Sequence, residues 1–191
     1  MKNFTKIFFG MLAMIIALAS CSKNDDNYFD ANKQFELEAQ SIKTFVSSKL
    51  PLAVLDTNSG IWYQMMSEGD GVYQYIAKDS TIYGQTKKVP VAPKISVRYT
   101  GQLLDGTVFD QNQSQEGMTG FLNQYIPAWQ IAFFPKKIGD LNLGGLTVKG
   151  LSKGTKIRII TPSYWAYQNI SNGKIPANSP LDFMIEVVDI K

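Results

Sequence analysis

From residue 31 the apolar positions Ala31, Phe35, Ala39, Ile42 and Val46 recur at intervals of four, four, three and four. That is the stripe of one helix face. Asp30 offers a capping side chain before it and Lys49-Leu50-Pro51 a stop after it, so the spacing predicts a helix from Ala31 to near Lys49. The stripe must be covered, by the rest of the chain or by a second copy through a helix-to-helix contact, and one stripe serves either partner. Beyond residue 58 the period changes. The stretch "IWYQMMSEGDG" reads as an aromatic-rich strand ending in a Gly69-Asp70-Gly71 turn. Residues 72–92 are a polar excursion, read as a hairpin with Tyr73, Tyr75 and Ile82 in its interior. In "KISVRYTGQLLDGTVFD", Ile95, Val97 and Tyr99 alternate with polar residues up to an Asp105-Gly106 turn. "LNQYIPAWQ" sets Pro127 at the first position of a short helix, where its missing amide proton costs nothing, and turns Trp129 inward. "KIRIIT" and "LDFMIEVVDIK" close the chain as strands, with Leu181, Phe183, Ile185 and Val187 on one face. The sum is an antiparallel β-sheet with few helices, an α+β domain.

The first twenty residues differ in kind. Lys2 and Lys6 precede an apolar run from Ile7 to Leu18, which is a secretory signal too short to span a bilayer. The run ends in Leu18-Ala19-Ser20-Cys21, which resembles a bacterial lipobox and implies that Cys21 is lipidated and becomes the mature N-terminus. Residues 22–27 are polar, a solvated tether to a membrane, and with Ser22 and Asp25-Asp26 they suit a lipoprotein of the cell envelope, on the periplasmic or outer side of the outer membrane. The expected organisation is a lipoprotein signal peptide (1–20), a lipid-anchored tether and N-terminal helix (21–58), and one domain (59–191). Removing residues 1–20 takes away two lysines and no acid, so the formal charge of +3 falls to +1. A near-neutral protein has no electrostatic footprint for nucleic acid.

Composition then narrows the chemistry. There is no histidine and one cysteine, which excludes serine–histidine triads, histidine-ligated zinc and disulfide frameworks; neither metal nor cofactor is expected. The Gly69–Gly71 turn lacks the acid spacing of a calcium loop. "LGGLTVKGLSKG", residues 143–154, has two glycines at phosphate-loop spacing, but Leu151 and Ser152 stand where lysine and a hydroxyl residue are required.

Five strings in order, "RYTGQLLDGTVFD", "LNQYIPAW", "LSKGTKIRIITPS", "WAY" and "IPANSPLDF", resemble the FKBP-type peptidyl-prolyl cis-trans isomerases over residues 59–191. The resemblance implies a curved antiparallel β-sheet wrapped around one short helix, here with the additional N-terminal helix. It implies a prolyl-binding pocket formed by Tyr99, Phe109, Asp110, Trp129, Tyr167 and Phe183, with Phe121, Tyr125, Ile126 and Ile175 as further substrate-binding walls. It also implies that the Ile126 amide and the Tyr167 hydroxyl hold substrate carbonyls, that Asp110 orients Tyr99, and that macrolide inhibitors are ligands alongside prolyl-containing polypeptides. Independently of the resemblance, a dry aromatic pocket favours the twisted amide, which has less charge separation than the planar one, and needs no acid–base group.

Three departures from the family pattern bear on this. Ala128 stands before the tryptophan where glycine is usual, Gln168 replaces a glycine after "AY", and residues 134–149 lengthen the segment after the short helix. Gln168 is expected to disfavour a positive-φ turn and shift the loop carrying Tyr167. The insertions at 72–92 and 134–149 either cover the cleft or make a partner surface. Two functions follow: an isomerase that assists folding of exported proteins, or a noncatalytic binding or chaperone module that works through its insertions. In the second case deletion of residues 136–148, not loss of Trp129 or Phe183, abolishes partner binding.

Overall fold

Helix α1 (Ala31–Lys49) begins where Asp30 accepts a hydrogen bond from the Lys33 amide at 3.1 Å and ends where Leu50 donates to the Val46 carbonyl. The computed structural model describes residues 30–69 and 71–191; the signal segment, Cys21, the tether and Asp70 lie outside the described residues, as does the side chain of Ala31. The buried stripe of α1 differs from the expected one by one position. Ala39 is exposed, and the neighbouring Glu38 faces inward at 4% exposure, between half-buried Phe35 and buried Ile42 and Val46. Glu38 can occupy that place because the chain brings hydrogen-bond donors to it, as described below.

The remaining elements are strands β1 (Val54–Leu55), β2 (Trp62–Glu68), β3 (Ala77–Ile82), β4 (Gln85–Pro90), β5 (Lys94–Leu103), β6 (Val108–Asn112) and β7 (Met118–Phe121), helix α2 (Pro127–Phe133), and strands β8 (Lys137–Ile138), β9 (Leu141–Asn142), β10 (Thr155–Thr161) and β11 (Leu181–Ile190). Seven strands form one antiparallel sheet in the order β1-β2-β10-β11-β5-β6, with β7 also on β5. β5 pairs with β7 at one end and with β6 at the other, so one long strand carries two short ones along the same edge. Register shifts at Lys156/Ile157, Gly101/Gln102 and Val187/Asp189 are the irregularities that bend such a sheet.

Alternation decides the layers. Ile157, Ile159, Ile185, Val187, Ile95 and Val97 pack with Ala128, Trp129, Ala132 and Phe133 of α2, whereas Ile160 turns the other way and packs with Ile42 and Val46 of α1 and with Leu50 just after it. The apolar face of α1 is therefore covered by the chain's own sheet. On the α1 side β10 and β11 also carry a partly buried ion pair: Arg158 donates to both carboxylate oxygens of buried Asp182 at 2.9 and 2.7 Å, and Gln102 adds a third bond.

The hairpin in residues 72–92 is narrower than expected. It comprises β3 and β4 alone; Tyr73 and Tyr75 precede it, and Ile82 is exposed rather than interior. Tyr75 is instead buried in the main core and donates to the Leu151 carbonyl, because a core tyrosine needs a partner for its hydroxyl. At the hairpin tip Tyr83 stands fully exposed with a positive φ of 48°.

Candidate active site

Trp129 occupies the first turn of α2, which begins at Pro127 with Ile126 as the preceding cap. A seven-residue helix holds little intrinsic stability, so burial of Ala128, Trp129, Ala132 and Phe133 is what fixes it. The Trp129 indole is 3% exposed and meets three rings: Tyr99 edge-on at 5.1 Å, Phe183 edge-on at 5.7 Å, and Tyr125 tilted by 30° at 5.1 Å. Phe109 stands edge-on to Phe183 at 5.6 Å. These rings come from three strands, a helix and the turn that precedes that helix. Tyr99 lies on β5, Phe109 on β6 and Phe183 on β11, whose pairing places Phe183 opposite Gly101. A side chain at Gly101 would strike both Phe109 and Phe183, so that glycine lets the two rings cross the strand.

Together these residues enclose a cavity of about 190 Å³ bounded by Tyr99, Phe109, Asp110, Tyr125, Ile126, Trp129, Tyr167 and Phe183. Met118 and Gln124 also border it. The space is well beyond the roughly 10–15 Å³ that admits one water. Its polar groups are few. The Tyr99 hydroxyl donates to Asp110 Oδ2 at 2.6 Å; burial, then this bond to a carboxylate, hold the phenol well above its ordinary range and therefore protonated. Burial also raises the Tyr125 phenol. The Trp129 indole N–H is buried without a partner among the described residues, and neither the Ile126 amide nor the Tyr167 hydroxyl makes a hydrogen bond among them. Gln130 Nε2 donates to the Tyr125 carbonyl at 2.9 Å and so steadies the turn that presents Ile126.

Eight of the ten pocket residues read from the sequence thus converge, and two do not. Phe121 is 51% exposed on β7 and does not line the cavity, because its strand partner on β5 is Lys94, at the far end from Tyr99. Ile175 is buried in the core and likewise does not line the cavity. Met118 and Gln124 carry no sequence signal beyond proximity to "YIPAW", which does not say which way a side chain faces. Nor do residues 72–92 or 134–149 contribute to the lining. Gln168 departs from expectation too. It adopts the positive φ, at 53°, that a glycine would take; its amide donates to the Ser163 carbonyl and its carbonyl accepts from Asn178. Two backbone bonds hold the turn, so the residue bears the strain of that φ.

A larger cleft, about 570 Å³, lies between residues 65–73 and 147–155. Its lining is mostly glycine, hydroxyl and exposed aliphatic residues with no convergent aromatic set. Among the described residues no group of three or more histidine, cysteine, aspartate or glutamate residues could hold a metal ion. Convergence of aromatic rings and orphan donors marks the smaller cavity as the site.

No family profile matches the chain. It is similar to the FKBP-type peptidyl-prolyl cis-trans isomerase FkpA of Aeromonas hydrophila, at 31% identity over 139 residues, covering 72% of this chain and 41% of that one. It is also similar to a probable FKBP-type 25 kDa peptidyl-prolyl cis-trans isomerase of Pseudomonas aeruginosa, at 30% identity over 56% of this chain and 40% of the relative. The chain thus spans about two fifths of the length of these relatives. Among solved structures, FkpA from Escherichia coli superposes with a TM-score of 0.56 at 24% identity over 83% of this chain and 60% of that chain, a likeness of fold. With the sheet wrapped on α2, the aromatic cavity and these similarities together, the chain belongs to the FKBP-type peptidyl-prolyl cis-trans isomerase family.

Proposed function

We propose that this protein catalyses cis-trans isomerisation of prolyl bonds in exported polypeptides. The observation that carries the reading is the aromatic cup itself, with the Trp129 indole buried among Tyr99, Tyr125 and Phe183 and an opening that Tyr99 and Tyr167 both border. Rotating an amide about its C–N bond crosses roughly 18–20 kcal/mol because resonance is lost at the twisted geometry. Uncatalysed prolyl bonds therefore take tens to hundreds of seconds. A prolyl ring seated among Trp129, Phe183, Phe109 and Tyr99 leaves water, and the twisted amide, with less charge separation, gains relative to the planar one. On this reading the Ile126 amide and the Tyr167 hydroxyl, which have no partner among the described residues, would donate to substrate carbonyls, while Asp110, hydrogen-bonded by Tyr99, would polarise the rim. An acceleration of about five powers of ten asks for about 7 kcal/mol, within reach of apolar burial and a few preorganised hydrogen bonds. No proton needs to move.

Location is part of the same reading: lipidated Cys21 tethers the domain to the envelope, with the outer membrane as the expected surface and folding of exported proteins as the task. No helix among the described residues is long and apolar enough to cross a membrane. Macrolide inhibitors would occupy the same cup.

The direct test follows cis-to-trans relaxation of a prolyl tetrapeptide with purified residues 22–191. Catalytic acceleration is expected; an unchanged rate from protein shown to be folded would overturn the reading. A noncatalytic binding module is the second reading, favoured by one observation, the β3–β4 hairpin that holds Tyr83 fully exposed at its tip. Under it, deleting residues 136–148, or the exposed hairpin at 77–90, abolishes partner capture while Trp129→Ala leaves capture intact.

A further inference from the structure

Glu38 is a buried carboxylate that the pocket chemistry does not use. Its Oε2 accepts from the Ser163 amide at 2.7 Å and its Oε1 from the Ser163 hydroxyl at 2.5 Å, across 125 residues of sequence, and Gln34 Nε2 donates to Oε1 from one turn earlier on α1. Ser163 opens the 3-10 turn Ser163–Trp165, whose preceding residue is Pro162 and which has no capping side chain of its own. Glu38 supplies that cap from another element.

The Ser163 carbonyl is in turn the acceptor for two amides, Ala166 at 2.9 Å and Gln168 at 2.9 Å, the residues on either side of Tyr167. A continuous path thus runs from the α1 carboxylate through Ser163 to the backbone that bears a cup-lining hydroxyl. Neighbouring contacts clamp the same turn. Phe35 meets the Tyr164 ring at 5.8 Å, and the Trp165 indole donates to the Ser59 carbonyl at 2.6 Å. The positive φ at Gln168 adds a reason for the clamp: a strained turn persists only where its surroundings over-determine it.

We propose that Glu38 is a positioning residue for Tyr167: its bonds to Ser163, rather than the apolar docking of α1 as such, set the geometry of the substrate-binding hydroxyl. This rests on the isomerase reading for its kinetic test but not for its structural one. Because Tyr167 is assigned to holding a substrate carbonyl throughout the reaction, loss of Glu38 should weaken KM and leave kcat nearly unchanged.

The experiment compares Glu38→Ala, Glu38→Gln, Tyr167→Phe and the double variant Glu38→Ala/Tyr167→Phe, with Ile42→Ala as a control that loosens α1 without touching Ser163. Glu38→Ala should lower kcat/KM about fivefold to tenfold, almost wholly through KM, and add less than about twofold in the Tyr167→Phe background. Glu38→Gln, which can still accept from the Ser163 amide and donate to its hydroxyl, should restore the value to within about twofold of the parent. Ile42→Ala should lower stability and leave kcat/KM unchanged. Hydrogen exchange read on the same proteins should show the Ala166 and Gln168 amides opening about tenfold faster in Glu38→Ala while β5 and β11 amides hold. Fully additive losses in the double variant, an equal loss in Ile42→Ala, or unchanged KM and exchange in Glu38→Ala would each overturn the proposal. If the parent protein proves inactive, the isomerase reading falls and the exchange measurement alone decides whether Glu38 holds the Tyr167 turn.

Discussion

At the scale of the residue, the cup depends on two positions where the backbone, not the side chain, sets the shape. Gly101 is one. A methyl group there would lie 2.6 Å from the Phe109 ring and 2.9 Å from Phe183, closer than carbon atoms approach. Gly101→Ala should cost about 1–3 kcal/mol in urea unfolding as an overpacking change. It should also cut catalytic efficiency by about tenfold or more, since both displaced rings are walls of the cavity; retention of full activity would separate Phe109 from substrate binding. Gln168 is the other, with the opposite sign. A left-handed non-glycine residue costs about 1–2 kcal/mol, and glycine in its place gives back about 0.5–1 kcal/mol through unfolded-state entropy. Gln168→Gly should therefore raise stability slightly, by about 0.5–1 kcal/mol, and leave Tyr167 in place. Trp129→Ala removes the ring that meets three others; about 3–5 kcal/mol of stability is expected to go with it, so its activity must be read on protein shown to be folded.

At the scale of the element, the sheet carries a charge ladder across three neighbouring strands. Glu186 on β11 sits opposite Arg98 on β5 and opposite Lys156 on β10; it accepts from Arg98 at 2.5 Å and lies 3.3 Å from Lys156. The Arg98 hydrogen bond, aided by Lys156, holds the Glu186 carboxyl below its ordinary value of 4.5. A folded value below the unfolded one means that the contribution is complete above the ordinary glutamate value and is lost as pH falls through the lower, folded value. Glu186→Gln should thus cost under about 1 kcal/mol near neutrality, because the group is partly solvated, and should flatten the acid limb of a stability–pH curve. An acid limb of unchanged slope would place that titration elsewhere. Elements of this kind were legible wherever period and turn chemistry agreed. The start of α1 at Asp30, the Asp105-Gly106 turn and the inward face of β11 all follow from spacing. What the sequence hid was long-range. Glu38 reads as a solvated charge one position from an apolar stripe, and only its meeting with Ser163 explains why it, not Ala39, faces inward. Phe121 was misplaced for the same reason, since the motif names a neighbourhood and the pairing with Lys94 fixes the direction.

At the scale of the whole molecule, the two helices lie on opposite faces of one sheet, with α2 flooring the cup and α1 covering Ile160 on the other side. The walls of the cavity come from β5, β6, β7, β11, α2, the turn before it and the loop after β10. On the proposed isomerase reading such a site would work by shape and desolvation, so that no group in the entire chain needs to change protonation during turnover. The sequence contains no histidine, the side chain whose ordinary pKa lies near neutrality. Tyr99, the phenol hydrogen-bonded inside the cup, is held above its ordinary range by burial and by Asp110, so it stays a proton donor across the neutral and mildly alkaline region. With a prolyl tetrapeptide that does not itself titrate, kcat/KM should be flat between about pH 6 and 9, because general acid–base catalysis would leave an inflection at the pKa of its donor or acceptor. An inflection within that window, persisting in protein that remains folded by circular dichroism, would show that proton transfer shares in the reaction and would count against a purely apolar cup.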